Sequence, residues 1–402
     1  MIASHKVQTT DGAQWFPLTK MEDAIYGNHR PAGLESRFET TQLSATLQYL
    51  QHRAAEISKA NPWVHGRLRR QPRNQKLAVW VPDVAEVFLK VIQVDSLDDT
   101  TRIASEANCG TGKQCLEHQW PILKLRVFLS HRVPSQLLLT LSVCHQVSDA
   151  TAMYALWGML DPRATVEALD MQRQSRDFWL TSASGLPSQA KFVYSLLCTE
   201  SSPLRKKRKI DQRKLTPLFH MIRRDWIQEQ KLAHKKTKDA PFVSTQDVFT
   251  SWYMRTFQPA CGSLVVNLRH RHNKDLTNKH VGNYLDLLVM NPADYASPSQ
   301  IRKIVASSGA ASKWNMPGRG SLQGTVSCWH TLYKDVQLPH SERLTHLPLR
   351  GGMFCLSSAP NSRMAVTLFR TSATDVAIMG FAPQMKDIDI NDMEPLGQEL
   401  VR

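Results

Sequence analysis

No run in the sequence comes near the roughly 18 uncharged apolar residues that a membrane-spanning helix requires, and Asp11, Glu22 and Asp23 stand where a secretory signal would be apolar. A soluble, cytoplasmic protein with no membrane span is the expectation. Paired cysteine is also missing. The seven cysteines contain no C-x-x-C, which argues against a zinc ribbon and, in a chain of 402 residues, against a small disulfide scaffold. Cys109 and Cys115 flank "CGTGKQC", a segment spaced to close a small disulfide. It lacks the upstream glycine and the following Ser/Thr of a phosphate-binding loop, so it reads as an ordinary loop. There is no G-x-S-x-G, no H-E-x-x-H and no G-x-G-x-x-G opening a helix after a strand. His270 and His272 of "RHRH" lie amid positive charge that repels a cation, so no metal site is expected.

What is abundant is basic charge, +15 in all, but it is localised. Arg67–Lys76 holds five basic residues and no acid, and Ser201–Leu215 holds seven against Asp211. Neither window has zinc-finger spacing or a heptad-linked basic region, so no nucleic-acid partner is expected. "RKKRK" fits a solvated linker, a nuclear-import address or a contact to an anionic ligand.

With 42% hydrophobic residues the chain is long enough for two domains. Leu43, Leu47, Leu50, Ala54 and Ile57 follow helical spacing, and "NPWVHGRL" then breaks the helix and restarts as a strand. Strands are predicted at 77–84, 122–130 and 135–145, the last two as an antiparallel pair, and a helix after Asp149 that stops before Pro162. The polar stretch from Arg163 to Leu215 reads as a linker. Beyond it a helical stretch surrounds Ile222, Trp226 and Ile227. Ser244 and Asp247 have the spacing of a capping box for the next helix. Strands follow at 263–271, 284–290, 323–332, 352–358, 364–369 and 375–381, and there is no internal repeat. The domains are therefore read as 1–162 and 216–402, joined by 163–215.

The stretch "LSVCHQVSDATAMYALW" ends an apolar strand in His145, with Asp149 four residues on. In a chain with fifteen histidines about one His-x-x-x-Asp match arises by chance, so context must carry the reading. A histidine at a strand end is held on rigid structure, and an imidazole can accept a proton near neutral pH. Asp149 could orient that ring, brace the loop against a distant arginine, or cap the helix.

Six segments in order resemble the plant and fungal acyl-CoA-dependent acyltransferases called BAHD, including the trichothecene acetyltransferases, within the chloramphenicol-acetyltransferase-like superfamily. "NPWVHGRL" is similar to the family's P-x-(apolar)-x-G-R segment, "CHQVSDA" to H-x-x-x-D-G, and "FVSTQDVFTSWYMR" to the S-T-N-D helix. "VNLRHR" resembles D-x-R-x-R, "VGNYL" the G-N turn carrying Asn283, and "VSCWHTL" the T-S-W strand. Ala150 replaces the glycine of the first motif, and the D-F-G-W-G motif has no match after Trp329, where only Asp335 is kept.

The resemblance implies an α/β protein of two similar domains, each a mixed sheet flanked by helices, with the active site in a tunnel between them. It implies acyl transfer from acyl-CoA, as with acetyl-CoA, to a hydroxyl or amine of a small secondary metabolite such as a terpenoid or polyketide. His145 would be the general base, without an acyl-enzyme. Asp149 would brace the loop by pairing with Arg269, and Ser327 with Trp329 beside it would face the oxyanion. The working form would be a monomer without metal. Two alternatives stand beside this reading: a condensation-domain-like enzyme using a carrier-protein thioester, and a catalytically silent relative that binds a metabolite or partner.

Overall fold

The computed structural model describes residues 7–8, 13–19, 22–23, 27, 29–83, 88–174, 215–271, 274–306, 322–350, 363–384 and 393–400. They form a mixed α/β structure of two compact units that interleave along the chain. The first unit is Met1–Gln174 with Leu268–Tyr284 and Leu332–Met353, and the second is Ser175–Asn267 with Leu285–Thr331 and Phe354–Arg402.

In the first unit, β1 (Val7–Gln8), β2 (Gln14–Pro17), β5 (Leu77–Val81) and β4 (Arg67–Arg70) form a small sheet in that order. The larger sheet runs β13 (Ser341–Pro348), β3 (Ala32–Thr40), β8 (Gln136–Val143), β7 (Leu123–Ser130), β6 (Leu89–Val94). Strand β8, "QLLLTLSV", is central and buried on both faces, which is why it lacks polar alternation. It pairs antiparallel with β3 (Ala32 opposite Val143) and with β7 (Leu123 opposite Val143), so its last residues are fixed from both sides. Helix α1 (Leu43–Ala60) buries Thr46, Leu50, Ala54 and Ile57. Leu43 and Leu47 are only half-buried, because the Thr46 hydroxyl fits the buried position by bonding Thr40 Oγ1 and the Pro339 carbonyl, each at 2.9 Å. Short helices α2 (Thr100–Ala107) and α3 (Gly112–His118) precede β7, and α4 (Ala150–Gly158) follows β8. Tyr154 and Trp157 of α4 are fully buried, each side chain contributing about 2–3 kcal/mol of apolar transfer.

The second unit is one seven-stranded sheet, ordered β11 (Leu285–Met290), β10 (Cys261–Asn267), β12 (Gln323–Cys328), β14 (Arg363–Arg370), β15 (Val376–Pro383), β9 (Leu215–Ile222), β16 (Leu396–Glu399). Helices α5 (Arg224–Leu232), α6 (Thr245–Phe257) and α7 (Pro298–Ala306) cover one face. Their Trp226, Phe249, Tyr253 and Ile301 pack against Leu264, Val326, Val366 and Leu368 of the strands. Helix α6 opens with the capping box that its sequence predicts: Ser244 Oγ accepts from the Asp247 amide at 3.2 Å, and Asp247 Oδ2 from the Ser244 amide at 2.7 Å.

Several expectations are corrected. Ile222 ends strand β9, and the helix starts only at Arg224, since Leu218 and Ile222 alternate onto the sheet's buried face. The strand expected over 263–271 spans Cys261–Asn267 and gives way to a loop whose groups bond across to other segments. "CGTGKQC" is partly a helix: Thr111 and Gln114 close a capping box at the start of α3, and both thiols are free and buried. Cys115 Sγ donates to the Cys109 carbonyl at 3.2 Å. Basic Arg67–Arg70 is strand β4, with the Arg69 guanidinium 3.6 Å over the Trp80 ring. The strand expected at 352–358 and the "RKKRK" run lie outside the described residues. None of the helices among the described residues is long and apolar enough to cross a membrane.

Candidate active site

The end of β8 turns sharply. The Cys144 amide donates to the Ile122 carbonyl at 2.7 Å, and the Cys144 carbonyl accepts from Val147 at 2.9 Å and Ser148 at 3.3 Å. This turn presents His145, then hands over to α4, for which Asp149 is the N-cap: its Oδ1 accepts from the Thr151 amide at 3.0 Å. His145 is 5% exposed. Its Nδ1 lies 3.2 Å from the Ser148 carbonyl, which can only accept, so Nδ1 carries the proton and Nε2 is the basic nitrogen. Burial holds the imidazole below its ordinary pKa, and the charge of Asp149 with hydrogen bonds at Asn283 and Ser148 offsets part of that shift. The His29 ring stands edge-on to it, with centroids 5.7 Å apart.

Asp149 Oδ2 receives Arg269 Nη1 at 2.7 Å, and both side chains are fully buried. The same oxygen accepts from the Tyr284 amide at 3.1 Å. Arg269 Nη2 in turn donates to the carbonyls of His280, 2.8 Å, and Gly282, 3.2 Å, and its guanidinium lies 4.9 Å over the Tyr284 ring. Asn283 Nδ2 donates to the His145 carbonyl at 2.6 Å. Arg269, the Asn283 side-chain amide and the Tyr284 main-chain amide therefore hold the loop of His145 at its carboxylate and at a carbonyl. Gly282 has φ +155, and a Cβ there would come within 2.8 Å of the Tyr284 ring. A side chain at that position would displace the ring that covers Arg269.

The structure thus brings together His145, Asp149, Arg269 and Asn283, all in the first unit. Ser327 and Trp329 belong to the second unit. Ser327 is half-buried near the end of β12 opposite Thr367 of β14, and Trp329 follows with its amide on the Leu368 carbonyl at 2.8 Å. Among the described residues no cluster of three or more His, Cys, Asp or Glu is placed to hold a metal ion, and His270 is exposed.

Sequence reasoning missed two residues, Glu22 and Arg173, which form a second buried ion pair of 3.0 Å against the same loops. Each lies in a segment without periodicity, so no spacing marks it. Gly112 was likewise passed over: a Cβ there would fall 1.8 Å from Gln146 Oε1, so this glycine makes room for the residue after His145.

No protein-family profile matches the sequence, and a comparison with curated proteins finds no match. Solved structures do match. TRI101 of F. sporotrichioides, solved with coenzyme A and T-2, aligns with a TM-score of 0.63 at 14% identity, over 92% of this chain and 95% of that one. TRI101 of F. graminearum, solved with coenzyme A and T-2 mycotoxin, gives 0.63 at 13% identity with the same coverage. The first condensation domain of the calcium-dependent antibiotic synthetase, in complex with a substrate analogue, gives 0.57 at 14% identity over 94% and 92%. The chain has the fold that these structures share, a two-domain α/β architecture of the kind the sequence resemblance implies.

Proposed function

We propose that the chain is an acyltransferase that moves an acyl group from acyl-CoA, acetyl-CoA in the first instance, to a hydroxyl or amine of a small secondary metabolite. The observation that carries the reading is His145 itself: a buried imidazole at a strand end, its Nδ1 bonded to the Ser148 carbonyl, in a loop clamped by Asp149–Arg269 and Asn283. The fold shared with coenzyme-A-bound TRI101 supports the donor class. His145 Nε2 takes the proton of the acceptor as its oxygen attacks the thioester carbonyl. A tetrahedral oxyanion forms, for which Ser327 is the donor, with Trp329 beside it. Collapse expels the coenzyme A thiolate, which recovers the proton from the imidazolium. The acyl group passes directly, since in this scheme His145 acts as base and no side chain serves as nucleophile.

Asp149 and Arg269 act as braces in this reading, because both charges are consumed in their mutual contact and in backbone contacts. Among the described residues the thiols of Cys109, Cys115, Cys144 and Cys261 are free and buried, which supports a reducing compartment such as the cytoplasm. A carrier-protein thioester is the second reading, favoured by the condensation domain that shares the fold at a comparable TM-score. The test is release of free thiol from acetyl-CoA with a panel of terpenoid and polyketide alcohols, beside the same assay with an acyl-phosphopantetheinyl carrier protein. Release from acetyl-CoA above a His145→Ala control supports the proposal. Release from the carrier alone transfers it to the second reading, and release from neither leaves a binding protein.

A further inference from the structure

Loops 145–149 and 280–284 are joined by two ion pairs, and the pairs alternate along loop 280–284. On loop 280–284 the carbonyls of His280 and Gly282 accept from Arg269, while the Val281 carbonyl between them accepts from Arg173 Nη1 at 2.7 Å. The amides follow the same order: Asn283 donates to Glu22 Oε1 at 3.0 Å, and Tyr284 donates to Asp149 Oδ2 at 3.1 Å. On the loop of His145, Asp149 meets Arg269, and the Val147 carbonyl accepts from Arg173 Nη2 at 2.7 Å. Gln146 Nε2 donates to the Glu22 main-chain carbonyl at 3.2 Å. Glu22 Oε2 closes the arrangement by accepting from Arg173 Nε at 3.0 Å and from the Thr19 amide at 2.9 Å. Glu22 is fully buried and the Arg173 side chain is 7% exposed.

We infer that Glu22 and Arg173 are positioning residues for His145, acting through two groups that set its ring. Arg173 fixes the Val147–Ser148 peptide plane, and the next carbonyl, that of Ser148, is the acceptor that holds His145 Nδ1. Glu22 fixes the Asn283 amide, and Asn283 Nδ2 holds the His145 carbonyl. The base is thus gripped at its ring and at its backbone by a pair drawn from two segments far apart in sequence, residues 22 and 173. The inference rests on the acyl-transfer reading for the word base, but the grip itself concerns only the titration and pose of His145.

A grip made of a buried charge pair has a signature that packing alone does not give. The charged and titratable groups on this turn are Asp149, paired with Arg269, and the His29 ring beside the imidazole, with Cys144 next in sequence; Glu22 and Arg173 reach it through Gln146, Val147 and Asn283. Arg173→Gln leaves the Glu22 carboxylate without its guanidinium and favours the imidazolium. Glu22→Gln leaves the guanidinium without its carboxylate and disfavours it. The His145 midpoint therefore moves up in the first variant and down in the second, by about half a pH unit or more each, and returns toward wild type in the double variant.

The experiment is imidazole NMR titration of the full chain, with the His145 signal assigned by its loss in His145→Gln, together with kcat and KM for thiol release. Expected are opposite midpoint shifts, and in Arg173→Lys a kcat reduced about 10-fold with KM for the donor unchanged, because the charge stays while the fork over the Val147 and Val281 carbonyls is lost. Arg53→Lys is the control, since Arg53 likewise clamps the Met159 and Asp161 carbonyls away from this loop; its kcat stays at wild type. Unmoved or same-sign midpoints overturn the inference, as does an Arg173→Lys that loses thermal stability but keeps kcat. Should the wild type release no thiol, the acyl-transfer reading falls while the titration still decides the grip. Where the Gln variants do not fold, the titration of Arg173→Lys decides: a His145 ring signal that loses its Nδ1–H protection supports the grip, and an unchanged one overturns it.

Discussion

Among the described residues a buried aspartate at a helix start receives an arginine in each unit, and the two pairs do different things. In the second unit Asp247 stands three residues after the N-cap of α6, closes the capping box with Ser244, and receives Arg302 Nε of α7 at 2.8 Å. That pair joins two helices that cover the sheet. In the first unit Asp149 is itself the N-cap of α4, and its arginine comes from a loop whose other groups hold the turn of His145. The same chemistry therefore ties helix to helix in one place and loop to loop in the other. A buried ion pair by itself says little about function; what it is attached to decides.

Breaking each pair separates the two roles. Asp149→Ala leaves Arg269 charged and buried, and the expected cost is about 3–5 kcal/mol of stability in chemical denaturation. It also lowers kcat per folded molecule, since the His145 turn loses its anchor. Asp247→Ala removes the capping box and the contact to the partly exposed Arg302, and is expected to cost less, about 1–3 kcal/mol, with kcat per folded molecule unchanged. Equal kcat losses in both variants would erase the distinction.

Next in size is Ser327→Ala, which removes the proposed oxyanion donor and lowers kcat about 10²-fold with little change in melting temperature. A melting temperature that falls with kcat would make Ser327 a structural residue like Asp247. The smallest effect is on pH-dependent stability. Burial lowers the His145 pKa in the folded protein, so between that lowered value and about 6.5 the unfolded chain binds more protons than the folded one. The contribution is complete above about pH 6.5 and is lost as pH falls through the folded value. His145→Gln flattens that slope in denaturation curves measured from pH 7 to 5.

Much of this was open to reading in the residues. The strand that runs to Val143, two residues before His145, is legible because "LLLTLSV" has the uninterrupted apolar character of a central strand, and the α6 start because Ser244 and Asp247 carry a capping box. A capping box also marks Thr111 and Gln114, inside a glycine-containing segment that otherwise has the composition of a loop. Arg269 could be assigned to Asp149 only through the family resemblance, since 120 residues separate them and nothing local links them. Glu22 and Arg173 had no such guide. Their partners are backbone groups of loops, and backbone groups leave no residue-type signature in a sequence. Ile222 is ambiguous for a simpler reason: it lies next to apolar helix residues, while its alternation with Leu218 belongs to the sheet.

The most direct measurement on the central claim is the pH dependence of kcat/KM for thiol release, wild type against His145→Ala. A buried imidazole acting as base gives the wild type an acid limb centred below pH 6.5, with activity level from there through neutrality. His145→Ala should lower the plateau by about 10²–10⁴-fold and abolish that limb. A wild-type limb centred above 6.5, or a limb that survives in His145→Ala, would contradict the account.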